Sequence, residues 1–67
     1  MATPEEFIDW FISNAQHLPL SVKNQVIEVT STPDIRGMYV VLQKLNDAGQ
    51  LPLEWDPKLA EFYSRFF

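Results

Sequence analysis

The chain has 67 residues, no cysteine, one histidine, and a net charge of −4 from nine acidic against five basic side chains. That length allows one domain at most, the missing thiols exclude disulfides and thiolate metal sites, and the basic residues (Lys23, Arg36, Lys44, Lys58, Arg65) are scattered singly. That scatter argues against nucleic acid as a partner, because phosphate neutralisation calls for a basic patch or stripe.

A chain this short buries only about 60% of its unfolded surface. Its 46% hydrophobic and 13% aromatic content therefore points to a rich core, a partner, or both. No basic segment followed by an apolar run opens the chain, so no signal peptide is expected. The longest apolar run, Met38-Tyr39-Val40-Val41-Leu42, is five residues against the roughly 18 that suggest a membrane span. The simple expectation is a soluble, cytoplasmic protein.

The first helix should open at Thr3, with Pro4 suited to the first helical position and Glu6 at the spacing of a capping box. It should run to about residue 16, with Phe7, Ile8, Phe11, Ile12 and Ala15 on one face. Trp10 falls outside that stripe, beside Glu6 and Ser13, and is a candidate contact residue. Residues 1–20 hold Glu5, Glu6 and Asp9 and no Lys or Arg; acidic residues in a first turn favour the helix dipole.

Pro19 pushes Leu18 out of the α region and separates this helix from the next. Ser21 reads as the cap of a second, shorter helix to about Thr30, with Val22, Val26 and Val29 in line. A strand is the rival, since Val26-Ile27-Glu28-Val29-Thr30 is rich in β-branched residues. The helix is preferred because Lys23-Asn24-Gln25 is not strand-like and no second strand is available to pair.

The stretch 32–49 is the longest helical pattern. Thr32 and Pro33 read as cap and first position, and Ile35, Met38, Leu42 and Leu45 form a seam widened by Tyr39 and Val41. Arg36, Gln43, Lys44 and Asp47 fall opposite, and Val40 falls among them. Gly37 costs about 1 kcal/mol relative to Ala inside a helix, which suggests close approach of another element near the first turn, the alternative being simple tolerance near a helix end. Gly49 suits a left-handed cap. Residues 50–55 carry Leu51, Leu53 and Trp55, a connector expected to lie across the core. Asp56 and Pro57 read as cap and first position of the last helix, with Leu59, Phe62, Tyr63 and Phe66 on one face and Phe67 extending it. Leu18-Pro19-Leu20 and Leu51-Pro52-Leu53 share a pattern that apolar interhelix loops explain without duplication.

The fold expectation is all-α, a compact bundle of three to four short helices at about 4–16, 22–30, 33–48 and 57–66, in a single domain over 1–67. No phosphate loop, HExxH, Cys-His pair or GxSxG occurs. His17, with Ser13 one turn earlier, lacks the partners of a general base and should bond the last carbonyls of the first helix. Glu5, Glu6 and Asp9 match no dedicated cation loop. The expectation is a non-catalytic protein with no cofactor and no metal.

The leading functional expectation is a small acidic protein-interaction module. It would act as an adaptor or inhibitor on a larger partner, a role that phage-encoded proteins aimed at host machinery also fill, or through self-association as a homodimer. The motive is an excess of aromatic and apolar side chains over what four short helices hide. The protein-binding candidates are Glu5, Glu6, Asp9, Trp10, Val40, Phe66 and Phe67, the acidic three suiting a basic surface. The alternative is a helix-turn-helix DNA-binding regulator over residues 21–48, in which only Arg36 could read a guanine edge.

Overall fold

The first turn of each helix explains where the chain bends. A computed structural model describes residues 3–67, and among them four helices follow one another: α1 (Pro4–Ala15), α2 (Leu20–Thr30), α3 (Ile35–Asp47) and α4 (Trp55–Phe66). The fold is the all-α bundle, and the segment 22–30 is helix. The radius of gyration, 10.8 Å, is that of a compact chain of this length, about 11 Å.

The start of α1 at Thr3 and Pro4 is as expected, while the other three helix starts depart from the sequence reading. Thr3 is the N-cap of α1 in extended geometry, but its side chain makes no cap hydrogen bond, and the Glu6 N–H donates to the Thr3 carbonyl instead; the capping box does not form. α2 begins two residues early, with Pro19 as N-cap and Ser21 inside the first turn. α3 starts at Ile35, not at Pro33. Its cap is Asp34, whose carboxylate accepts the Gly37 N–H at 3.0 Å. Asp is the stronger N-cap, and the Thr32 hydroxyl is committed to the Val29 carbonyl at the end of α2. α4 starts at Trp55, with Glu54 as N-cap and Pro57 in the first turn, where its missing N–H leaves no bond unmade. Asp56 caps nothing; it accepts from Asn46 Nδ2 at 2.9 Å and ties α4 to α3.

Gly37 has a local explanation. A Cβ there would collide with the Asp34 carboxylate, so the close approach that it permits is that of its own helix cap. Gly49 is the left-handed residue expected, at φ +73°. Its N–H donates to the Asn46 carbonyl and that of Gln50 to the Leu45 carbonyl, the paired bonds of a Schellman motif. That motif turns the chain so that Leu51 and Trp55 are buried. Leu53, expected over the core with them, is 92% exposed. In both Leu-Pro-Leu connectors the first leucine packs inward and the second, Leu20 or Leu53, stands out.

Each helix gives the core three residues at helical spacing: Phe7, Phe11 and Ala15; Val22, Val26 and Thr30; Met38, Leu42 and Leu45; Trp55, Leu59 and Phe62. Thr30 is buried because its hydroxyl donates back to the Val26 and Ile27 carbonyls at 2.9 and 3.0 Å. Consecutive helices pack directly, α1 on α2, α2 on α3 and α3 on α4. The fourth side, α1 against α4, is closed by aromatic rings. Trp55 at the start of α4 meets Trp10 and Phe11, while Phe66 at its end meets Phe7. α4 is therefore antiparallel to α1. It is antiparallel to α3 as well, since Asp56 meets Asn46 and Phe67 meets Arg36. No helix among the described residues is long and apolar enough to cross a membrane.

Candidate functional site

α4 lies between α1 and α3, and each side chain's angle on it decides which neighbour it meets. Successive residues sit about 100° apart. Phe62 and Phe66 turn towards the core and α1. Tyr63 and Phe67, each one residue on, emerge on the side of α3. There Tyr39 meets both, at 5.3 Å to the Tyr63 ring and 5.3 Å to the Phe67 ring. Tyr63 and Phe67 stack at 5.5 Å with 20° between planes. The Arg36 guanidinium lies 5.6 Å from the centre of the Phe67 ring, within cation–π range.

This cluster opens to solvent. Tyr63 is 52% exposed and Phe67 43%, with Tyr39 half-buried beneath them. A polar chain continues along the seam: the Tyr39 hydroxyl donates to Gln43 Oε1, Gln43 Nε2 donates to Asp47 Oδ1, and the Asn46–Asp56 bond closes the far end. The seam thus runs from a basic, aromatic end at Arg36 and Phe67 to an acidic end at Asp47 and Asp56.

The candidate contact residues separate. Trp10 is half-buried against the core, edge-on to Trp55 at 5.1 Å and to Phe11 at 5.8 Å. The helical stripe is centred on Phe7, Phe11 and Ala15, so α4 covers the Trp10 flank while Ile12 stays at the opposite margin. Phe66 is half-buried, edge-on to Phe7 at 5.6 Å. Phe67 joins the exposed cluster. Val40, 43% exposed, lies on the outer side of α3 one turn after Arg36. Glu5, Glu6 and Asp9 are exposed on the side of α1 turned away from the core, so they do not share a surface with Phe67 and Tyr63.

Tyr39 and Tyr63 were not distinguishable from core residues by periodicity, because both border the apolar faces of their helices. The usable signal was chemical: tyrosine has an apolar body and a polar tip that suit an edge. His17 is exposed, and among the described residues it makes no hydrogen bond; the Leu18 N–H takes the Ala15 carbonyl and the Gln16 side chain takes that of Ile12. No group of three potential metal ligands and no enclosed pocket occurs among the described residues. Compared with known proteins, the chain matches no family model, no curated protein and no solved structure.

Proposed function

We propose that this protein is a small non-catalytic interaction module whose binding surface is the outer face of α3 and α4, acting as an adaptor or inhibitor on a protein partner or through self-association. The observation that carries this reading is the solvent-facing cluster of Tyr39, Tyr63 and Phe67 with Arg36 over the Phe67 ring at its edge. Tyrosine and arginine are the residues that most often anchor interfaces, and rings already stacked lose little side-chain freedom on binding. The rings also hold one another in place, so the surface is organised before a partner arrives. The acidic face of α1, with Glu5, Glu6 and Asp9, lies apart from it and would add long-range attraction towards a basic partner.

The test is affinity capture from the native host by the full chain, comparing wild type with Tyr63→Ala/Phe67→Ala and with Glu5→Lys/Glu6→Lys/Asp9→Lys. The first pair should abolish retention of a specific partner. The acidic triple should weaken retention and flatten its salt dependence. A partner held equally by the wild type and by Tyr63→Ala/Phe67→Ala would remove the aromatic face from the reading.

A further inference from the structure

We infer that the outer face of α3 and α4 is an isologous dimer interface, on which a second copy of this chain lies antiparallel to the first. The inference rests on reading that face as the binding surface, and it names the occupant. The face is polarised. Where α3 begins and α4 ends it carries Arg36 and Phe67; where α3 ends and α4 begins it carries Asp47 and Asp56 against one base, the exposed Lys44, so that end stays net acidic, with Leu53 in the connector beside it. Arg36 and Asp47 stand eleven residues apart on one helix, about 16 Å along its axis.

A two-fold axis through the middle of the face, near Tyr63 and Val40, lays the basic aromatic end of each copy on the acidic end of the other. Arg36 then faces Asp47 and Asp56 of the second copy, and Phe67 faces its Leu53. Because a two-fold contact uses the same patch twice, each of these attractions occurs twice. A parallel arrangement would instead set like charges against each other.

The exposed apolar side chains point to the same face. Among the described residues five large ones stand exposed, and four of them (Val40, Leu53, Tyr63 and Phe67) belong to α3, α4 or the connector between them. The small, exposed Ala60 lies near the proposed axis and leaves room for close approach. The area suffices as well. A standard interface takes about 800 Å² from each partner, and one side of a four-helix bundle with 4306 Å² of accessible surface offers about that much. A domain this short also gains stability from association.

Sedimentation velocity on the full chain, from about 1 μM to about 1 mM, should show monomer passing to dimer. R36E sets acid against acid, and D47K/D56K sets base against base. Each should weaken the dimer by at least about tenfold, because juxtaposed like charges oppose association. An equimolar mixture of the two variants should dimerise about as well as wild type, since every placed charge then faces its opposite. L20A, which leaves the face intact, should behave as wild type. Circular dichroism checks that each variant folds; D47K alone, which keeps the Asn46–Asp56 bond, takes the place of the double variant if the latter does not. A wild-type chain that stays monomeric throughout, a dimer indifferent to R36E, or a mixture that remains monomeric would each overturn the inference. A monomeric chain that still captures a larger partner through Tyr63 and Phe67 would remove the second copy as occupant while leaving the face as a binding surface.

Discussion

The seam between α1 and α4 and the seam between α3 and α4 are built from the same materials, aromatic rings with a cation laid over them. In the first, Phe7, Phe11, Trp55 and Phe62 are buried, Trp10 and Phe66 are half-buried, and Lys58 Nζ stands 5.0 Å from the Phe7 ring and 5.4 Å from the Trp10 ring. In the second, Tyr63 and Phe67 remain open and Arg36 covers only one edge. The difference lies in angle. One residue's step along α4 separates Phe62 from Tyr63 and Phe66 from Phe67, and that step turns a ring from the core to the surface. Aromatic content alone therefore does not locate an interface; rings count towards one only where no second layer covers them.

The sharpest way to break this comparison is to remove one large ring from each seam. Trp55→Ala leaves a cavity among Trp10, Phe11 and the core and should cost about 3–5 kcal/mol, most of the stability of a domain whose total is on the order of 5 kcal/mol. Tyr63→Ala should cost under about 1 kcal/mol, as for a side chain at the surface. Urea denaturation of both variants compares them. Equal losses would mean that the α3–α4 rings hold the fold as much as the inner ones do.

The next effect concerns how α3 is held where Arg36 reaches Phe67. Asp34→Ala removes the cap bond to Gly37 and should cost about 1 kcal/mol. In that background Gly37→Ala should recover about 1 kcal/mol through helix propensity. In the wild type it should gain little, because the new methyl displaces the Asp34 carboxylate. A double-mutant cycle measures the coupling, and additive effects would show that glycine is not required by the cap.

Lys58→Met keeps the apolar stem over Phe7 and Trp10 but removes the charge, and should cost about 0.5–1 kcal/mol if the cation–π contacts stabilise the inner seam. A cost that does not differ from zero would assign Lys58 a covering role only. The smallest net change is expected at Trp55→Phe. The Trp55 Nε1–H is buried with no hydrogen-bond partner among the described residues, so losing it relieves a desolvation penalty of about 1–3 kcal/mol that offsets the cavity left by the smaller ring. Thermal unfolding should place this variant within about 1 kcal/mol of wild type. A loss near that of Trp55→Ala would mean that the N–H is satisfied, for instance by the face of the Trp10 ring.

The number, order and approximate span of the helices were legible because apolar periodicity and the prolines and glycines act locally. The Met38, Leu42 and Leu45 seam and the Gly49 stop needed no tertiary information. The starts of α2, α3 and α4 were read less well than that of α1. Several side chains could cap each one, and the choice turned on what else each could bond: Thr32 goes back to α2 and Asp56 across to α3, leaving Asp34 to cap alone. Glu5, Glu6 and Asp9 were readily placed on an outer face, since nothing apolar interrupts them there.

The sequence by itself determined that this chain folds as a helical bundle and that it holds more aromatic rings than its helices hide singly. Only the tertiary structure decided which rings those are. Periodicity assigns a residue an angle on its own helix, but burial depends on where the neighbouring helices stand. Because α4 lies between α1 and α3, Trp10 and Phe66 are half-covered against the core, and Tyr63 and Phe67 are left beside Arg36 at the surface.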